Sequence, residues 1–345
     1  MQLTQEQQEI LAGSRGETMA KVMETLVRYG ELYHADAMIP VTGKYNHLVT
    51  SFGLKALTPV YELMDQLIAE GAVSGVKFSA DPRPLDKNVP SSFLQNLIFK
   101  HFMYSRQDFY EGQLQSLGLM DKDAFTCTCY MEEVGNTPRP GDVLSWSESS
   151  AVVYAKSVLA ARCNRNSGII DLMGAVCGFV PRFGLLTDEG RKAKWIVDIR
   201  TTKRPEAQLL GSAIGMKVME DVPYIRGLDR WLGTLDEDAR AYLKDMGAAA
   251  ASNGAVSLYH VVVIPTVFTA APAVIRRFNE TPYAERLRRT GVIVSYICPL
   301  MYMNNPLSER MPVITSSNKL RTYTSARYYT DDENLAQITK GGDRA

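Results

Sequence analysis

Thiols and hydroxyls crowd one stretch of this chain, residues 126–165. It opens Thr-Cys-Thr-Cys-Tyr, which sets Cys127 and Cys129 on either side of Thr128, and Cys163 follows near its end. Between them a Pro/Gly turn at 137–142 leads into Ser147-Glu148-Ser149-Ser150. Val152, Ala155, Val158 and Leu159 then recur at helical spacing, so a helix is expected from near Ser149 towards 162. The first N–H groups of a helix are unpaired and carry the positive end of its dipole, which suits a carboxylate or another anion. Thiolates are soft metal ligands. Together these groups suggest metal-assisted handling of a small acid.

Three further positions join this set. His47 closes a short apolar run and can act as a general acid or base, or hydrogen-bond a leaving hydroxyl. Cys298 and Lys319 each follow an apolar run that reads as a strand, and a lysine there can hold a carboxylate or phosphate as a point charge. Each candidate has a plainer explanation. A free cysteine packs as a small hydrophobe, and Ser or Glu at a helix start is an ordinary cap. Arg162 and Arg165 fit a helix end, where cations meet carbonyls and the dipole. His260, inside an apolar run, reads as a satisfied core histidine.

The elements that must position these groups alternate in type. Thr4 and Gln7 have capping-box spacing before a short helix, and 17–29 reads as an amphipathic helix ending at Gly30. Strands are expected at 37–41 and 73–79, and helices at 57–71, 93–103 and 234–244. Gly174 and Gly178 would let another element approach closely. Residues 255–264 (AVSLYHVVVI), 291–297 and 311–315 are β-branched runs of the kind buried on both faces of a parallel sheet. The pattern is α/β with mainly parallel sheets flanked by helices, whose ligands gather at the carboxyl ends of strands. Three lobes are expected, at 1–125, 126–250 and 251–345.

At 345 residues the chain can bury a large core. Its 38 basic residues balance 38 acidic ones, which supports neither nucleic-acid binding nor a polybasic membrane contact. No apolar run approaches the roughly 20 residues that span a bilayer. Five cysteines over this length argue against a secreted disulfide scaffold, so a cytoplasmic setting is expected.

The segment TCTCY followed by WSESSAVVYAKSVLAARCNR resembles the catalytic large subunit of the aconitase X family. There a Cys-Thr-Pro-Tyr segment precedes a W-A-E-S-x-A-V-x-x-A-N-S-V-x-G-A-R-T-N-R block. The resemblance implies an aconitase-like fold of two to three lobes around a central cleft. It also implies a hydro-lyase that removes water from a small β-hydroxy acid, such as a hydroxyproline-like imino acid or a phosphorylated hydroxy acid. An iron–sulfur cluster would serve as Lewis acid, with Cys127 and Cys298 at the family's cysteine positions and Cys163 as a replacement third ligand. The cluster type is left open, with mononuclear iron or no metal as alternatives. Lys319 matches the lysine of an N-S-G-K-Y segment. His47, Ser149 and Lys319 are the implied catalytic positions, and Thr128, Glu148, Ser150, Arg165 and Ser317 the implied substrate-binding ones. A separate small swivelling subunit would complete the site as a heterodimer. The chain departs from the family at Cys129 and Cys163, where Pro and Thr are usual, at Asn318, where Gly is usual, and in a shortened 265–285 region. A second expectation is therefore a cluster-free relative acting as a binding or scaffold subunit. A third is a cysteine hydrolase pairing Cys127 or Cys163 with His47.

Overall fold

The computed structural model of the protein describes residues 1–48, 57–83, 92–121, 124–232, 235–261, 267–284, 293–295, 313–316, 326–330 and 332–334. Contacts gather the chain into two units. The first is Met1–Lys192 with Gln208–Val222 and Lys244–Leu258; the second is Ala193–Ala207, Pro223–Leu243 and Tyr259–Ala345. The boundary expected at 125 falls inside the first unit, because Phe125 bridges Ala80 of a strand. The one expected at 250 falls inside a segment of the same unit.

In the first unit, α1 (Gln5–Leu11) starts at a complete capping box, Thr4 and Gln7 each accepting from the other's backbone N–H. Helix α2 (Glu17–Leu32) runs past Gly30. That glycine does not stop the helix; a Cβ there would collide with Pro181, so its role is close approach. Strands β1 (Met38–Pro40) and β2 (Asn46–Leu48) follow, then α3 (Thr58–Ala69) and β3 (Phe78–Ala80). Next come α4 (Phe93–Ile98), prolonged by a π turn at Phe99–Met103, and α5 (Gln107–Leu117). The unit continues through α6 (Ser149–Ser157), α7 (Gly168–Cys177) and β4 (Phe179–Pro181). Met23, Leu26, Met64, Leu67, Phe78 and Leu114 form the centre of its core. Burying each side chain of this kind contributes about 1.5–3 kcal/mol.

Two pairings position the site. β2 runs parallel to β3, with His47 opposite Ser79. On its other side His47 bridges Trp146, again in parallel. The three segments therefore end together: Asp81 follows β3, and α6 begins just beyond Trp146. The helix expected to reach 162 ends at Ser157, and Ala160 takes a left-handed φ of 59° that no helix continues through.

The second unit carries β5 (Trp195–Asp198); of the helices that follow, α8 (Ala207–Val218) belongs to the first unit from Gln208 on, and α9 (Glu237–Gly254) from Lys244 on. Strand β6 (Pro223–Arg226) lies between β5 and β7 (His260–Val261) in one parallel sheet. Within the expected strand 255–264, pairing begins at His260: α9 extends to Gly254 and Ala255 is left-handed. Strands β8 (Val267–Thr269) and β9 (Ile293–Ser295) pair in parallel, with α10 (Pro272–Asn279) following β8 in sequence. Strands β10 (Ile314–Thr315) and β11 (Arg327–Tyr328) do the same. Every named strand pair except β1 with β4 is parallel, in an α/β arrangement of open sheets.

Candidate active site

His47 is wholly buried at the junction of β2, β3 and Trp146. Its Nδ1 lies 2.9 Å from Ser79 Oγ and its Nε2 lies 3.1 Å from Asp81 Oδ1. The Trp146 ring meets the imidazole edge-on at 5.8 Å, and the indole N–H donates to Tyr45 O. Asn136 Nδ2 donates to both Asn46 O and Ser79 Oγ at 3.2 Å. The Asn46 side chain in turn accepts from Ser145 N at 3.0 Å. A hydrogen-bonded network thus locks the imidazole from behind, and the Asp81 side chain, 19% exposed, stands in front of it.

The start of α6 is occupied by the chain itself. Glu148 accepts from Ser150 N at 3.0 Å, from Ser150 Oγ at 2.8 Å and from Ala151 N. Ser149 Oγ donates to the same carboxylate at 3.4 Å. The anion position expected for a substrate carboxylate therefore holds a protein carboxylate, and Ser149 and Ser150 turn towards it.

Cys127 is exposed, whereas Cys129 is buried. Burial raises the Cys129 thiol well above its ordinary range, and the negative charges of Glu148 and Asp81 push it the same way. Those two carboxylates and the Cys127–Cys129 segment thus share one neighbourhood. Thr128 folds back on Thr126, its N–H donating to Thr126 Oγ1 at 3.1 Å.

Cys163 lies elsewhere, sealed in the core with Trp146 and Ala155. Its thiol donates to Asn164 O at 2.9 Å, and burial raises it to about 12, so it stays protonated. Two titratable groups share that region. Lys156, on α6, is 1% exposed, and its ammonium Nζ has no hydrogen-bond partner; burial lowers it to about 7. Asp171, on α7, is raised by burial to about 7 while its Oδ1 accepts from Ser145 and Asn166. Sequence reasoning passed over Lys156 and Asp81. The available signal for Lys156 was its place in the WSESSAVVYAKS run, where the family block has Asn. Arg165 is exposed, and Arg191 rather than Arg162 or Arg165 meets backbone carbonyls near the end of α6, those of Ala161 and Lys156.

Cys298, Ser317 and Lys319 lie outside the described residues. Among the described residues no three His, Cys, Asp or Glu side chains gather as a metal site. With Cys127 exposed and Cys163 sealed, the described donors do not by themselves fit an iron–sulfur cluster.

The family model for the aconitase X first domain matches residues 1–189, and that for the aconitase X second domain matches 193–286. The phosphomevalonate dehydratase large subunit of Thermococcus kodakarensis is 33% identical over 266 residues, 76% of this chain and 61% of that protein. The cis-3-hydroxy-L-proline dehydratase of Pseudomonas aeruginosa is 26% identical over 267 residues, 74% of this chain and 42% of that protein. The chain thus spans about three fifths of the length of the first of these relatives. A crystal structure of Thermococcus kodakaraensis aconitase X in its holo-form superposes with a TM-score of 0.61 at 25% identity, covering 99% of this chain and 100% of that one. The two domain matches, in order along the chain, and this shared fold agree with the TCTCY and WSESSAVVYAKSVLAARCNR segments: the chain belongs to the aconitase X family.

Proposed function

We propose that this chain is the large subunit of a hydro-lyase that removes water from a small β-hydroxy acid, either a hydroxyproline-like imino acid or a phosphorylated hydroxy acid. The observation that carries this reading is the pair of aconitase X domain matches, together with a carboxylate-lined site at the ends of β2 and β3. Dehydration removes a proton next to the substrate carboxylate and expels hydroxide. The proposed substrate contacts are Thr128, Ser317 and Lys319, with Arg165 at the surface; Lys319 and Ser317 supply a cation and a hydroxyl for carboxylate or phosphate. An iron–sulfur cluster, bound through Cys127 and Cys298, would supply Lewis-acid assistance when present. A separate small subunit completes the site, as the name "large subunit" given to the Thermococcus relative suggests, and the complex works in the cytoplasm.

Iron and acid-labile sulfide, measured on the anaerobically purified large–small complex, test this. The reading expects both in the wild type and their loss in Cys127→Ala. A folded complex without iron would support the second reading, a cluster-free scaffold subunit. That reading draws on the sealed Cys163 thiol and on Glu148 filling the helix start.

A further inference from the structure

The His47–Asp81 pair is built back to front for a catalytic histidine. In the familiar serine-protease arrangement a buried carboxylate supports an imidazole that faces the substrate. Here the imidazole is the sealed member and the carboxylate faces outward.

The hydrogen bonds occupy both ring nitrogens. Asn136 donates through Nδ2, since the reverse amide orientation would set its oxygen against Asn46 O. Ser79 Oγ therefore receives one hydrogen bond and has one proton to give. The nearer acceptor is His47 Nδ1 at 2.9 Å; Asn46 O is 3.4 Å away. Nε2 lies 3.1 Å from Asp81 Oδ1, and a proton on Nε2 makes this contact a hydrogen bond that Oδ1 accepts. Both ring nitrogens are then committed inside the protein, and the imidazole offers no atom to a ligand. Among the described residues Asp81 Oδ2 has no hydrogen-bond partner, and its side chain is partly exposed at the carboxyl end of β3, where open α/β sheets bind ligands.

The geometry points to Asp81 as the catalytic base of this site, with His47 as its positioning residue. The inference rests on the dehydratase reading for its reaction. Asp81 Oδ2 takes the proton from the carbon beside the substrate carboxylate. The C–H pair becomes the C=C bond and the C–O pair leaves with hydroxide. The proton on Asp81 then passes to that hydroxide, which departs as water and restores the carboxylate.

Two measurements on the large–small complex test it. The first follows exchange of the substrate's α-hydrogen with deuterated solvent by proton NMR, alongside water loss. Asp81→Asn should lower both by about 10²–10⁴-fold with little change in KM, and Asp81→Glu should recover part of the loss. His47→Gln should lower kcat by about tenfold, leave KM unchanged and alter the pH profile of kcat. An active wild type whose Asp81→Asn variant keeps its kcat overturns the inference. The second is independent of turnover: nitrogen-15 NMR of His47 should show the Nε2–H form in wild type, disturbed in Asp81→Asn. Nδ1–H with a bare Nε2 overturns the arrangement. A wild-type complex that dehydrates no acid sinks the dehydratase reading instead, and the NMR result still decides the pairing.

Discussion

Lys156 on α6 and Asp171 on α7 are buried close enough for each charge to act on the other, yet Lys156 Nζ and Asp171 Oδ2 both lack a hydrogen-bond partner. Burial dominates both groups. It lowers the lysine from 10.5 to about 7 and raises the aspartate from 3.8 to about 7.

These shifts make stability depend on pH in two windows. Asp171 is raised on folding, so its contribution is full below 3.8 and is lost as pH rises towards 7. Lys156 is lowered, so between about 7 and 10.5 the unfolded chain binds more protons and stability climbs with pH. The two groups together place a minimum near neutrality. The lysine's contribution to the alkaline rise is on the order of 5 kcal/mol. Urea midpoints measured from pH 5 to 10 should show this dip, and Lys156→Met should flatten the alkaline side. An unchanged alkaline slope in Lys156→Met would mean that Lys156 is charged and solvated.

Ala160 holds a left-handed φ of 59° at the position where the family block has glycine. Alanine pays a steric cost there that glycine does not. Ala160→Gly should raise stability by about 1 kcal/mol in urea unfolding, without altering the fold. A loss of stability would show that the chain leaves this conformation.

Gly174 lets α7 lie against Ser145. A Cβ there would run into Ser145 Oγ and come within 3.0 Å of Val180. Ser145 also donates to Asp171, so the substitution strikes packing and a buried hydrogen bond together. Gly174→Ala should cost about 1–3 kcal/mol, read as a lower urea midpoint.

Thiol reactivity should separate the cysteines. Cys127 is exposed, while Cys129, Cys163 and Cys177 are buried. Burial raises Cys163 to about 12 and Cys177 to about 11, leaving almost no thiolate at pH 8. Peptide mapping after iodoacetamide treatment of the native protein should find Cys127 modified and these three protected until denaturant is added. Rapid labelling of Cys163 would contradict its sealed placement.

What the sequence revealed was mostly local. The Thr4–Gln7 cap, the helix at 58–69 and the start of α6 rest on neighbours a few residues apart, and all are present. The close approach at Gly174 was also legible. The end of α6 was not, since apolar spacing continues through Val158 and Leu159 while the backbone turns left-handed at Ala160. At the site, His47 was visible as a residue type, but its partners Ser79 and Asp81 lie 32 and 34 residues away and meet it through strand register. The same holds for Lys156, an unremarkable lysine until α6 packs and seals it. Glu148 shows the opposite limit: its capping residue type was clear, but whether the helix start faced a ligand or its own side chain depended on a rotamer.

The most direct test of the account is water loss by the anaerobically prepared large–small complex, followed by NMR on mevalonate 5-phosphate, cis-3-hydroxy-L-proline and a panel of small β-hydroxy acids. The account predicts an unsaturated acid from at least one of them and a severe loss of rate in Asp81→Asn. A folded, iron-loaded complex that binds these acids and dehydrates none would contradict it.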